Sequence, residues 1–383
     1  MRSVARPLAW CFLAASLWGA LGDGRAGLEG AQNAAAKTAS DPAEQLAQVL
    51  ARQNEVFTKL TQLRKEFQTA GAARQKEIQA EFRALVDEAQ QEIEPALFKA
   101  AEAVFAKDPS HAQAGPILLG GYFQKNQYER AAAVADAILA GNPKDAEALN
   151  LGGVSHFAVH DFEKAGTLLE SARAEGGEVF QQLGERYVGD CARYAELWKT
   201  EQQIRVREEK ANDLPRVLLR TSGGDIELEL FENEAPNTVA NFISLVEKKF
   251  YDGIAFHRVI PTFMAQGGDP NTLDEDPNND GSGGPGYTIP CECYAAGARM
   301  HFQGSISMAH AGKDTGGSQF FLTHLPTAHL NPNPQGPRGP SGHTVFGRVA
   351  KGLDVALAIE QGDKIESAQV LRKRDHPYVP KKN

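Results

Sequence analysis

Cysteine is scarce: four in 383 residues. One, Cys11, lies in a leading apolar segment, and Cys191, Cys291 and Cys293 form an odd, sparse set that excludes a disulfide-stapled fold. Cys291-Glu292-Cys293 is a C-x-C with His301 and His310 nearby in sequence. It lacks the second paired motif of a zinc site, so it reads as loop, and neither metal nor cofactor is expected. Basic residues are also short, with 40 Lys and Arg against 49 Asp and Glu and a net charge of −9. Without a basic surplus no nucleic-acid partner is expected. Long apolar runs are missing too. The stretch Leu8–Leu21 falls short of the ~20 residues that span a bilayer.

That stretch follows Arg2 and Arg6 and precedes Gly24-Arg25-Ala26, the pattern of a secretory signal peptide cut after Ala26. The expected location is therefore exported, periplasmic or otherwise extracytoplasmic, with no membrane span after cleavage. The alternative is a chain held at the membrane by an uncleaved N-terminal segment. Cys11 follows Trp10, where a lipoprotein signal wants a small residue.

At this length two or more domains are expected. Residues 27–40 read as linker. A helical hairpin is expected over 41–110: Asp41-Pro42-Ala43-Glu44 opens a helix, and Leu46, Val49, Val56, Leu60, Leu63 and Phe67 carry its apolar stripe. After Gly71, Ile78, Phe82, Leu85 and Val86 share the face of a second helix. Over 111–210 an internal repeat emerges: Asn126, Tyr128 and Ala131 recur 34 residues on as His160, Phe162 and Ala165. This resembles tetratricopeptide helix pairs in period, which stack to leave a concave face. Helices at 78–107 and 178–210 would cap them. A protein partner docking there, or a helical spacer, are the two readings. Leu214-Pro215 marks the next boundary. Val217–Thr221 and Ile226–Leu230 alternate about Ser222-Gly223-Gly224-Asp225, predicting a β-hairpin. Pro236 starts a helix with Val239, Phe242, Ile243 and Val246 on one face, ending near Gly253. Short strands follow, with a further helix near Leu353–Ile359 and a basic tail over 373–383. The fold class expected is multidomain: an N-terminal all-α helical repeat region, then a closed antiparallel β-barrel with capping helices over 214–372.

Three dense motifs carry the chemistry. They are Phe256-His257-Arg258 continuing through Phe263-Met264-Ala265-Gln266-Gly267-Gly268-Asp269, Gly304 to Gly312 with Gly316 to Leu322, and His343 to Val349. The first motif packs one guanidinium, Arg258, two large apolar side chains and an amide together, a set that suits a reaction moving no proton. Rotation about an X-Pro bond faces a barrier of about 18–20 kcal/mol, because the nitrogen lone pair is delocalised into the carbonyl. A pocket that grips the proline ring, with a cation aimed at the nitrogen as resonance is lost, favours the twisted state over either planar isomer.

At these residues the chain resembles the cyclophilin family of peptidyl-prolyl cis-trans isomerases. The resemblance implies an eight-stranded barrel, proline-containing polypeptides as clients, Arg258 as the catalytic arginine, and Gln266 and Gln319 as the amides that organise it and the substrate backbone. Phe263, Met264, Phe321 and Leu330 match the proline pocket, Ala309 and His310 the edge that pairs with bound peptide, and His343 the rim. His257 is expected inside the barrel, and Asp269 to fix the loop after Gly267-Gly268. Two departures stand out: His329 where many members have Trp, which puts cyclosporin binding in question, and a Pro/Gly-rich insertion over 331–342.

Overall fold

The computed structural model describes residues 41–336 and 339–383; the signal segment and linker expected at 1–40 lie outside the described residues. The chain packs as two compact units. One holds residues up to Gly121 with Ala133–Ala148, the other Tyr122–Ala132 with Leu149–Asn383.

In the first unit α1 (Pro42–Phe67) and α2 (Ala72–Glu88) form the expected hairpin around Gly71. Val56, Leu60, Leu63, Ile78, Phe82 and Leu85 make its core. The second arm does not end at Glu88. A π-helical turn, Ala89–Ile93, leads into α3 (Glu94–Phe105), which packs back on α1. Pro95 sits in the first turn of α3; it has no N–H to give and so breaks the i→i−4 ladder, which the wider turn absorbs.

Four helices follow: α4 (Ala114–Gln124), α5 (Tyr128–Gly141), α6 (Ala146–Ala158) and α7 (Phe162–Glu175). The repeat offset is visible in the backbone. Asn126 and His160 occupy corresponding inter-helix turns, both left-handed, with φ of 55° and 69°. Tyr128 and Phe162 then open α5 and α7 as buried aromatics.

In the second unit a long helix, α8 (Glu185–Ala211), ends on Asn212 in the left-handed region, as helix C-termini often do. Eight strands follow: β1 (Arg216–Thr221), β2 (Gly224–Leu230), β3 (Arg258–Ile260), β4 (Met264–Gly267), β5 (Ser305–Met308), β6 (Phe320–Thr323), β7 (Val345–Lys351) and β8 (Ile365–Arg372), with α9 (Pro236–Glu247) and α10 (Leu353–Leu357) between them. They form one antiparallel sheet in the order β3-β4-β6-β5-β7-β2-β1-β8. The sheet curls, and its edges are tied just ahead of β3 and β8. Ala255 bridges Lys364, the Gly253 N–H donates to the Ile365 carbonyl at 2.7 Å and the Phe256 N–H to Asp363 at 2.8 Å. Closure thus rests on a short seam between segments flanking the edge strands. Leu219, Leu228, Phe242, Phe256, Phe320, Leu322 and Phe346 are among the residues that fill the interior.

Packing does not stop at Leu214. Arg299, buried in the loop before β5, donates to both Glu201 oxygens on α8 (2.9 and 2.7 Å) and to Glu208, while Arg348 on β7 reaches Glu208 at 2.7 Å and also Glu229. Burial alone would raise the Glu201 pKa, but the Arg299 and Arg205 guanidinia hold it below its ordinary value. Tyr194 on α8 donates to the His301 carbonyl at 3.1 Å, and the His160 ring stacks on Trp198 at 4.1 Å and meets Phe302 edge-on at 5.7 Å. The tail is seated too: Tyr378 is buried and donates to Glu232 at 2.9 Å, and the Asn383 N–H reaches the Thr288 carbonyl at 2.9 Å.

His301 and His324 are both fully buried in this unit, and burial pushes their pKa values down to about 3 and about 4. The unfolded chain binds those protons near pH 6.5, so the stability they contribute is intact above about 6.5 and is lost as pH falls toward the folded values. The unfolding free energy from urea titrations should therefore fall between pH 7.5 and 4.5, with a slope approaching about 1.4 kcal/mol per pH unit for each imidazole. A flat profile across that range would mean these rings are not buried neutral.

Candidate active site

The β3–β4 hairpin and its neighbours set the site. Register puts Arg258 opposite Gln266, Gln266 opposite Phe321 and Phe321 opposite Ser307. Side chains alternate along a strand, so this row faces out from the sheet while Ala265, Phe320, Leu322 and Ile306 face the core. All ten residues singled out from the sequence (Arg258, Phe263, Met264, Gln266, Ala309, His310, Gln319, Phe321, Leu330 and His343) line one cavity of about 870 Å³.

The floor is apolar. Met264 and Phe321 are buried, Phe263 and Leu330 half-buried. Arg258 is exposed above it and, among the described residues, pairs with no carboxylate; its Nη1 donates to Gln266 Oε1 at 3.3 Å. The Gln266 amide nitrogen donates to Gln319 Oε1 at 2.9 Å, and the Gln319 amide nitrogen to the Gly281 and Gly283 carbonyls at 3.0 and 2.9 Å. Gln266 thus orients the cation, backed by Gln319, which also donates to Asp269 Oδ2 at 3.4 Å. Ala309 is tied to the wall by its N–H, given to the Gln319 carbonyl at 2.9 Å.

His343 meets Phe321 edge-on at 5.4 Å and donates Nδ1–H to the Met308 carbonyl at 2.9 Å. Burial, and then the neighbouring His310, push its pKa down to about 4, so the rim is uncharged at neutral pH. His310 stacks on it at 4.1 Å, its Nε2 donating to the Gly342 carbonyl at 2.8 Å. His329 lies at the mouth, exposed, its ring 5.3 Å from Phe263.

One expectation needs correcting. His257 does not enter the barrel: Phe256 takes the interior position, and strand alternation turns His257 the other way, half-buried with neither ring nitrogen bonded. Asp269 behaves as expected: fully buried, it accepts from the Asn271 and Gly283 N–H groups at 2.8 and 3.1 Å.

Several contributors were not singled out. The loop Gly281–Thr288 makes the opposite wall, and the signal was its glycines: a Cβ on Gly283 would lie 2.2 Å from Asp269 Oδ1. The insertion is anchored at its start, where buried Asn331 accepts from the His301 N–H at 2.9 Å and donates to the Tyr194 hydroxyl at 2.8 Å. Asn126 is the least legible of all. Buried in its turn, it accepts from the Thr262 N–H (2.9 Å) and the Tyr128 hydroxyl (2.8 Å) and donates to the Leu357 carbonyl (2.9 Å). Thr262, at the tip of the β3–β4 turn, holds φ at 60°, an unfavourable region for a β-branched residue. Asn126 thereby braces the turn between Arg258 and Phe263.

An apolar cleft with one oriented cation over it, on the outer face of a curled sheet, defines a protein that grips and reshapes a peptide. Residues 216–376 match the family model for cyclophilin type peptidyl-prolyl cis-trans isomerase/CLD. The chain is 44% identical over 160 residues to a peptidyl-prolyl cis-trans isomerase of Synechococcus elongatus, covering 41% of this chain and 97% of that one. It is 48% identical over 152 residues to peptidyl-prolyl cis-trans isomerase B of Bacillus subtilis (40% and 94%) and 46% over 164 residues to an isomerase of Helicobacter pylori (42% and 90%). The chain belongs to the cyclophilin-type peptidyl-prolyl cis-trans isomerase family. The helices ahead of Arg216 lie outside the matched model.

Replacing Asn126 by Ala should leave the Thr262 amide, the Tyr128 hydroxyl and the Leu357 carbonyl unpaired, at a cost of about 1–3 kcal/mol for each group that stays buried. Hydrogen exchange at Thr262 should accelerate ahead of exchange in β6. Unchanged protection at Thr262 would show that the turn holds itself.

Proposed function

We propose that this chain accelerates cis-trans exchange of X-Pro bonds in folding polypeptides, with Arg258 as the group that stabilises the twisted bond. The observation that carries the reading is the cation oriented by Gln266 and, among the described residues, left without a carboxylate, above the floor of Met264 and Phe321. Planar X-Pro isomers exchange in tens to hundreds of seconds unaided. As the bond twists, conjugation is lost and the prolyl nitrogen regains its lone pair. A donor already in place gains most at that moment. Phe263, Met264, Phe321 and Leu330 hold the ring, and the Ala309–His310 edge aligns the backbone. Neutral His343 shapes the rim without moving a proton.

We further propose that the helical region of 41–210 docks clients or partners, its repeat read as tetratricopeptide-like, and that the isomerase acts as a chaperone outside the cytoplasm. The support is the 34-residue recurrence with its matched left-handed turns, and the basic, apolar, small-residue order of the first 26 residues. The N-terminus of protein taken from its native host should then begin near Gly27; one beginning at Met1 in a cytosolic fraction would remove the export reading.

Arg258→Ala should lower the exchange rate at saturating peptide on the order of a hundred- to thousand-fold, the equivalent of about 2.7–4 kcal/mol for one preorganised donor. Arg258→Lys should recover little, because an ammonium lacks the planar fork of donors. Phe321→Ala should act mainly through a raised KM. Equal saturated rates for wild type and Arg258→Ala would leave a proline-peptide-binding scaffold as the better description.

A further inference from the structure

Beyond the cleft floor, at the end of the groove where His310 and Gly342 meet, stand two cysteines that the isomerase reading does not use. Cys291 is half-buried and receives the Asp314 N–H on its sulfur at 3.1 Å, while its own N–H donates to Asp314 Oδ1 at 2.8 Å. Cys293, two residues on, is buried and donates its S–H toward the Gly342 carbonyl at 3.6 Å. Both are free thiols, two residues apart on one loop. We propose that Cys291 and Cys293 form a peroxide-sensitive thiol–disulfide site that tunes peptide binding in the adjacent groove.

Hydrogen bonds to a sulfur favour its thiolate, the reactive form. The neighbouring Cys293 thiol, and then the Asp314 N–H, lower the Cys291 pKa against the opposing effect of burial, while Cys293 is held above its ordinary value. The half-buried Cys291, its sulfur already receiving an N–H, is thus the nucleophile, and the buried Cys293 the resolving thiol. Cys191 is the internal contrast: buried on α8, bonded to the Tyr187 carbonyl at 3.3 Å and pushed up to about 12 by burial.

The chemistry balances with hydrogen peroxide as oxidant. The Cys291 thiolate attacks one peroxide oxygen, the O–O bond breaks, and the hydroxide that leaves takes up a proton to become water. Sulfur, oxidised by two electrons, is left as a sulfenic acid. The Cys293 thiol then displaces that oxygen: the S–S bond forms, the S–O bond breaks, and the Cys293 proton leaves in a second water. A thiol reductant reverses the change by exchange.

The effect on the groove follows from the shared acceptor. The Gly342 carbonyl takes both the Cys293 S–H and His310 Nε2, at 2.8 Å for the latter. His310 stacks on His343, which stands against Phe321. Oxidation removes the S–H and draws Cys293 toward Cys291, so the His310–His343 stack loses one side of its anchor. Loss of a single such bond corresponds to about a two- to tenfold rise in KM.

The test uses the full chain, reduced and then treated with stoichiometric hydrogen peroxide. The peptide containing residues 291–293 should lose two hydrogens in mass, regain them with dithiothreitol, and do so before Cys191 is modified. In Cys293→Ser, dimedone should trap Cys291 as the sulfenic acid; in Cys291→Ser, Cys293 should resist peroxide. Oxidised wild type should show the raised KM and Cys291→Ser should not. Persistence of both thiols, or earlier reaction at Cys191, would overturn the site. A disulfide that leaves KM unchanged would overturn its coupling to the groove. The KM readout rests on the isomerase reading. If neither form catalyses exchange, that reading fails, while the mass mapping still decides the disulfide.

Discussion

The active groove depends on strand register. One row of side chains, Arg258, Gln266, Phe321 and Ser307, crosses β3, β4, β6 and β5 on the outer face of the sheet, and the neighbouring row, with Phe320 and Leu322, fills the core. Because the side-chain period is two, a slip of one residue would send the guanidinium inward and the core phenylalanine out. Core packing therefore enforces the placement of the site. The same burial that stabilises the sheet aligns Arg258 with its amide and with the apolar floor, and no separate device is needed to choose which residues face the peptide.

The second constraint comes from the helices. A buried pair such as Arg299 with Glu201 repays its desolvation only when every donor and acceptor is matched. Here the guanidinium meets Glu201 with two donors and Glu208 with a third, and lies 3.8 Å over the Phe231 ring. Such a network stabilises only modestly, yet it admits one seating of α8 against the loop before β5. Tyr194 and Asn331 extend that seating to the start of the 331–342 insertion. Asn126 and His160, in corresponding turns of the repeat, reach the β3–β4 turn and the segment before β5.

This divides what the sequence discloses from what it hides. The hairpin at Gly71, the β1–β2 hairpin, the onset of α9 and the ten groove residues named from the motifs were legible, because apolar periodicity and dense local motifs report on short-range order. The π-helical turn before Pro95 was half-legible: the proline was visible but not the way its missing donor would be absorbed. His257 was misplaced because a one-residue choice of strand phase decides it, and the larger neighbour, Phe256, took the interior. Asn126, Asn331 and the tail residue Tyr378 were hidden for another reason. Their partners lie far away in the chain, and a lone Asn or Tyr carries no pattern that names a distant backbone group.

The choice of amides around Arg258 has its own logic. A glutamate at 266 would orient the guanidinium more tightly, through a charge-assisted bond. It would also cancel most of the field that the cation presents to the groove. Gln266 orients by a dipole, at 3.3 Å, and leaves the charge whole. Its own amide is committed in turn to Gln319, and Gln319 to the carbonyls of Gly281 and Gly283, so that each link polarises the next without adding net charge. The chain of amides ends on those carbonyls and on the buried carboxylate of Asp269, which accepts from the Gln319 amide nitrogen at 3.4 Å and from the Gly283 N–H. Negative charge is thus present in the site, but it meets the amide chain at Gln319 and not the guanidinium, and among the described residues Arg258 stands over the groove with no carboxylate partner.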